Sequence, residues 1–317
     1  MHTIARAFVI AAAAACASAP ATAQPYPSRS INMIVSAPAA GMTDTMAHAM
    51  QNELSRLLGQ SVNLTNQDAF SGTLGISDLA HAAPDGYTLA FTSNNPLSAQ
   101  PHVQKVRYDL ASFRYLCLAY HTPLVLVGGL QTPFRTAEEF VAFAKAKPEN
   151  LVYGYPGLAS QQHLGMLAVL NAMSANARGI AFNGPAATLR ALFDDAVMAI
   201  IETPAASTAT DFPVLAALSD ERIRTLPDLR TMKELGYPAT AFLAGGLLAP
   251  AGIPDAAADR LEKACAEAAA SPAYKTIAAR LSIEPRYLPG DDFRKLIGAE
   301  SAANAEIIAR AGLRAAR

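Results

Sequence analysis

Tryptophan is absent from this chain, cysteine occurs three times, and only 16% of the 317 residues are charged. Each scarcity excludes something. With no tryptophan and aromatics at 7%, a broad base-stacking surface has little to be built from. With 25 Lys+Arg against 26 Asp+Glu, the formal net charge of −1 argues against a strongly electrostatic nucleic-acid binder. The cysteines are too few for a disulfide framework, and no CxxC or Cys/His spacing suggests a metal. No stretch after the N-terminus approaches the roughly 18 uninterrupted apolar residues of a membrane span. What is present is apolar bulk. At 51% hydrophobic residues the chain can bury a sizeable core, and its length suits one large domain or two ordinary ones.

The first 23 residues read as an address. A short start with Arg6 precedes an apolar run from Ala7 to Ala15, and Ala21-Thr22-Ala23 supplies the small-x-small pattern of a cleavage site. A secretory signal peptide over 1–23 is expected, with the mature protein starting at Gln24. Cys16 as a lipidated N-terminus is the alternative. Cys117 and Cys265 then remain. Both stand among apolar residues and are expected as two buried thiols, with one disulfide the alternative in an oxidising compartment.

Along the chain, strand-like and helix-like periods alternate. Ser30–Ala37 reads as a buried strand. Thr43–Leu58 follows with Ala47, Met50, Leu54 and Leu57 on one helical face and Gly59 as the stop. Strands at Ser61–Thr65 and Tyr87–Thr92 bracket a helix near Thr73–Ala83, and Leu116–Gly128 is apolar and β-rich. Thr136-Ala137-Glu138-Glu139 is a capping box. The second half predicts strands at Leu151–Gly154, Gly179–Phe182, Val197–Ile201, Val214–Leu218 and Phe242–Leu248. Helices are predicted at Gln161–Met173, Pro185–Phe193, Asp228–Leu235, from Pro254 onward and at Asp291–Arg310. Such interleaving means parallel sheets with helices on both faces.

Ligands in such folds bind beyond the carboxyl ends of the strands. Three loops there are rich in small residues and each precedes a helix: 38–44, 68–73 and 155–161. Free N–H groups at a helix start make an anion site without Lys or Arg. None of the loops matches GxGxxG or GxxxxGK[ST], so nucleotide binding has no support. There is no HExxH and no GxSxG. Ser160 and His163 share a helix start without an identifiable orienting group, so a hydrolase is only a rival reading. Asp194-Asp195 reads as a solvated helix end, and Met42, Met46 and Met50 as core or pocket wall.

A run of motifs in order carries a resemblance. It begins with Tyr26-Pro27-Ser28-Arg29 and the strand Ile31–Val35. Pro38-Ala39-Ala40-Gly41-Met42-Thr43-Asp44 and Ala83-Pro84-Asp85-Gly86-Tyr87-Thr88-Leu89 follow, then Pro101-His102, Ala144-Lys145-Ala146-Lys147-Pro148 and His163-Leu164. Phe182-Asn183-Gly184-Pro185-Ala186, Leu226-Pro227-Asp228 and the segment Leu247–Pro254 complete it. Over essentially all of the mature chain the sequence resembles the periplasmic receptors of tripartite tricarboxylate transporters, the Bug or TctC-like family.

The resemblance implies an α/β, two-lobe periplasmic binding protein of type II topology, with parallel-rich sheets flanked by helices. Lobe 1 would be discontinuous, 24–121 plus 247–317, and lobe 2 would be 122–246, with a flexible crossover at Gly245-Gly246. It implies capture of a small carboxylate or amino-acid-like solute and its delivery to the membrane components of such a transporter. A sensory receptor of the same fold is the alternative. No catalytic residue, metal or cofactor is expected, nor a nucleic-acid partner, and a periplasmic monomer is. The ligand-contacting set is expected to be Ala40, Gly41, Thr43, Asp44, Ser71, Gly72, Ser93, Asn94, Gly157, Ser160, Gln161, His163, Asn183, Gly184 and Glu202. The chain departs from the family pattern in places. Ala40 and Met42 stand where Gly is usual, Ala244-Gly245 where aromatics are frequent, and Glu202-Thr203 where Asp-Asn is frequent. A methyl at position 40 is expected to hinder a positive φ, and a carboxylate at 202 to repel an anion. The segment Pro204–Pro213 reads as shortened.

Overall fold

The computed structural model describes residues 26–281 and 283–313; the predicted leader lies outside them. Strand β1 (Ile31–Val35) stands where the apolar run predicts it. Ile31, Met33 and Val35 enter one apolar cluster and Ile34 another, so both faces of the strand are covered. Helix α1 (Met42–Leu58) covers one face through Met46, Met50 and Leu54. Strand β2 (Val62–Asn66) pairs with β1 in parallel. Helix α2 (Thr73–His81) covers the other face through Ile76 and Leu79. Strand β3 (Thr88–Ser93) lies parallel on β1's second side. Between β3 and the next strand lie the short helix α3 (Asn95–Ser98) and two 3-10 turns.

Strand β4 (Phe113–Gly128) is 16 residues long and joins two packed regions. The second region has helix α4 (Ala137–Ala146), opened by the predicted Thr136/Glu139 capping box. Strand β5 (Val152–Tyr155), helix α5 (Gln161–Met173), strand β6 (Arg178–Ala181), helix α6 (Pro185–Phe193) and strand β7 (Ala199–Glu202) follow, with β5 parallel to both β6 and β7. The segment that reads as shortened contains helix α7 (Pro204–Thr208), and strand β8 (Val214–Leu218) follows it. Strand β9 (Phe242–Pro250) then returns to the first region. Helices α8 (Asp255–Ala270) and α9 (Pro272–Arg280), the short strand β10 (Leu288–Pro289) and helix α10 (Gly290–Arg310) complete the chain.

The strand order is β2-β1-β3-β9-β4-β7-β5-β6. Parallel trios lie at either end, as expected, while β9 and β4 run antiparallel at the centre. β4 pairs with β9 from Phe113 to Pro123 and with β7 and β8 from Leu124 to Gly128. Each region has its own core. Leu116, Ala119 and Tyr120 belong with α1, α8 and α9; Leu124 and Leu126 belong with α4 and α5.

Four expectations are corrected. Asp228–Leu235 is not a helix. Ala217 of β8 donates its N–H to Arg230 O and accepts from Met232 N, both at 2.9 Å, so the backbone there is drawn to the sheet. The long helix from Pro254 breaks at Ser271, whose hydroxyl accepts from Tyr274 N (3.1 Å) and caps α9 with Pro272 at its first position. Cys117 of β4 and Cys265 of α8 are not two thiols but a disulfide. Gly245 and Gly246 are not a flexible crossover. They lie within β9 against β3 and β4, where a Cβ on Gly246 would run into the Cys117 carbonyl oxygen.

Candidate functional site

Parallel register puts the carboxyl ends of β1, β2 and β3 on one edge of the first region, and those of β5, β6 and β7 on one edge of the second. After β1, the Ala40 N–H donates to Asp44 Oδ2 (2.8 Å), and Asn66 Nδ2 donates to Asp44 Oδ1 (2.7 Å) and Ala37 O (3.1 Å). Asp44 therefore braces the loop to the end of β2. Ala40 adopts φ +62° despite its methyl, so the methyl does not keep this position out of the left-handed region. Gly41 is the N-cap of α1 and offers no side-chain acceptor, which leaves first-turn N–H groups free of a cap. The Thr43 hydroxyl, buried, lies 2.9 Å from Tyr120 Oη.

In the second loop Phe70, Ser71 and Gly72 all have positive φ, at 53°, 59° and 83°. A Cβ on Gly72 would strike the Ser36 carbonyl oxygen, so glycine is what lets this loop lie against the first. Ser71 is exposed at its crest. Ser93 ends β3, and Asn94 follows, fully buried. Its side chain is committed internally. Nδ2 donates to Phe242 O (3.1 Å) and Glu300 Oε1 (2.5 Å), and Oδ1 accepts from Ala244 N (3.2 Å). Burial pushes the Glu300 carboxyl up to about 8, against hydrogen bonds from Ser98 and Asn94.

The third loop has Gly157 at φ +138° and Ala159 at +52°. Ser160 caps α5 by accepting from His163 N (3.2 Å). His163 Nδ1 accepts from Ala159 N (3.1 Å), which places the ring proton on Nε2. The ring stacks flat on Tyr155, with centroids 3.8 Å apart, and burial lowers its pKa to about 4, so it is neutral near pH 7. Ser160 and His163 thus each serve the backbone and do not face one another as nucleophile and base.

Three contacts bring this loop to the first region. Asn95 Nδ2 donates to Ala159 O (2.8 Å), Gln100 Nε2 to Leu158 O (3.4 Å), and Gln161 Nε2 to Ser98 Oγ (3.2 Å). Asn183 and Gly184, the latter at φ +91° before Pro185 of α6, reach the same sheet edge by strand register. Glu202 ends β7 and is buried. Burial raises its pKa, partly opposed by hydrogen bonds from the Thr203 N–H (2.7 Å) and side chain.

Of the six non-glycine residues with positive φ among the described residues, Ala40, Phe70, Ser71 and Ala159 lie in these loops. Each costs on the order of 1 kcal/mol, and such strain concentrates where a loop must hold a particular shape. Sequence reasoning missed Tyr120, Ser36, Asn66 and the Asn95–Gln100 stretch. Asn95-Pro96 after a strand is readable as turn chemistry, but nothing local announces that Tyr120 meets Thr43 across 77 positions. No group of three or more His, Cys, Asp or Glu among the described residues could hold a metal ion.

The model of the tripartite tricarboxylate transporter family receptor matches residues 46–313. A Cupriavidus necator protein described as a UPF0065 protein in the gbd 5′ region is 30% identical over 320 residues, covering 98% of each chain. Protein BugT of Bordetella pertussis is 32% identical over 231 residues, 70% of each chain. Among solved structures, a TctC solute-binding protein from Polaromonas has a TM-score of 0.79 at 26% identity, covering 90% of this chain and 99% of its own. Rpa4515 of R. palustris, solved with adipate, has a TM-score of 0.79 at 24% identity, covering 92% and 100%, and speaks for the fold. A family match spanning most of the described chain, on a fold that superposes nearly whole on such receptors, settles the affiliation: this chain belongs to the tripartite tricarboxylate transporter receptors, a family of periplasmic solute-binding proteins.

Proposed function

We propose that the protein captures a small organic carboxylate between two lobes and delivers it to a tripartite tricarboxylate-type membrane transporter. In this reading one lobe runs to Pro123 and resumes at Phe242, a few residues from the His121 and Gly246 expected of the sequence. The other lobe lies between. The observation that carries the proposal is the uncapped N-terminus of α1, whose own loop holds Ala40 at positive φ and whose approach from β1 lies against the second loop, Ser36 meeting Gly72. N–H groups left without an internal acceptor at a helix start suit a carboxylate. The adipate bound by Rpa4515 supports the ligand class. Glu202 fits the same reading, because burial raises its pKa, and a carboxyl in its protonated form can donate a hydrogen bond where an ionised one would repel.

A thermal-shift screen against mono-, di- and tricarboxylates, amino acids and nicotinate-like acids tests this. At least one carboxylate should raise the melting temperature and be recovered unchanged. Affinity should fall as pH rises and Glu202 ionises, and Glu202→Gln should flatten that dependence. If no carboxylate stabilises the protein, or if the ligand is consumed, the reading fails.

A further inference from the structure

We infer that Tyr120 is a positioning residue for the ligand site. By donating its hydroxyl proton to Thr43 Oγ1, it leaves the Thr43 hydroxyl proton free for the bound carboxylate. The inference rests on the reading of the α1 N-terminus as the site. Tyr120 is fully buried on β4, and its Oη lies 2.9 Å from Thr43 Oγ1. A buried tyrosine hydroxyl needs an acceptor, and Thr43 Oγ1 provides one. Once that oxygen accepts, the threonine proton has to point elsewhere, and Thr43 stands in the first turn of the uncapped helix.

Two irregularities of the sheet serve this one placement. The register of β4 against β9 shifts between Leu118 and Tyr120, and such a shift re-aims a side chain. Directly across the pair stands Gly245, where a Cβ would run into the Tyr120 ring at Cε1, Cζ and Oη. The ring therefore lies down across β9 in the space that glycine leaves, and so reaches Thr43. Phe91 of β3, with ring centroids 6.2 Å apart, packs beside it. A tyrosine needed only to fill the core would require neither its hydroxyl nor this slot.

The experiment uses the full mature protein with adipate and citrate as probes. Tyr120→Phe keeps the ring and should weaken binding roughly 5- to 10-fold, the scale of one hydrogen bond. Thr43→Val should weaken it at least as much, Thr43→Ser should bind like wild type, and the Tyr120→Phe/Thr43→Val double variant should be no worse than Thr43→Val alone. Amide hydrogen exchange on ligand-free protein gives the independent arm. Tyr120→Phe, and Gly245→Ala by displacing the ring, should speed exchange at Thr45 and Met46 severalfold and leave α5 unchanged. Wild-type affinity in Tyr120→Phe, multiplicative losses in the double variant, or unchanged exchange at Thr45 and Met46 overturns the inference. If neither probe stabilises wild type, the carboxylate reading fails for these probes, and exchange alone decides the role of Tyr120.

Discussion

Ala40 shows at the scale of one residue how loop shape is kept without glycine. Its φ of +62° is a conformation that a Cβ disfavours by about 1 kcal/mol. Ala40→Gly should therefore leave stability unchanged or raise it by up to about 1 kcal/mol in chemical denaturation, since glycine's added unfolded-state freedom offsets part of the relief. A clear loss would mean that the methyl makes a contact of its own. Glu300 makes the opposite kind of case. Its carboxyl, ordinarily at 4.5, is pushed up to about 8, and its Oε2 is buried without a partner. Between those values the unfolded chain releases a proton that the folded chain keeps, so this group's contribution to stability falls as pH rises from about 4.5 to 8. The melting temperature of Glu300→Gln should fall less than that of wild type as pH rises from 6 to 9; parallel curves would refute the assignment. The helix-start residues Thr43 and Ser160 were legible in the sequence as polar groups before apolar periods. The committed state of Asn94 was not, because Phe242, Ala244 and Glu300 come from far along the chain.

Elements whose own period and caps agree were legible nearly to the residue. Gln161–Met173 and Pro185–Phe193 coincide with α5 and α6, where a serine cap and a first-turn proline mark the starts. Asp228–Leu235 has helical spacing, yet β8 claims the Arg230 and Met232 backbone groups, and a distant partner prevails over local pattern. The break between α8 and α9 was written as Ser271-Pro272 and hidden by the alanines around it. β4 runs on through Pro123, as the apolar stretch Leu116–Gly128 suggested, and near that proline it changes partners, from β9 to β7 and β8. The disulfide pins β4 to α8 across 148 positions. Replacing Cys117 and Cys265 with alanine should cost about 2–4 kcal/mol, measured by urea unfolding of oxidised wild type against the double variant. A cost near zero would show that α8 is held by packing alone.

For the whole molecule the mixed α/β architecture with helices on both faces of a sheet was legible, while the tight packing of Gly245 and Gly246 within β9 was not, because the pair reads locally as a flexible one. The chain instead changes cores near Pro123–Leu124 and Ala241–Phe242. The two packed regions also touch through Asn95, Gln100 and Gln161. If ligand binding draws on these contacts, the Asn95→Ala/Gln161→Ala double variant should show a larger radius in small-angle scattering without ligand. It should also bind roughly 10- to 30-fold more weakly, the worth of two modest hydrogen bonds. An unchanged radius and affinity would leave closure to the crossing strands. The place of β9 in the sheet has one more consequence, for the order in which the protein is made. β3 and β4 follow one another in sequence, yet the strand between them is Phe242–Pro250. The sheet that opens the chain therefore stays unfinished until Phe242–Pro250 has been synthesised, whereas the pairings of β5, β6, β7 and β8 with one another and with the end of β4 all fall within residues 124–218. Non-local pairing of this kind is slow, so the first sheet closes late, after every strand of the second region is already present.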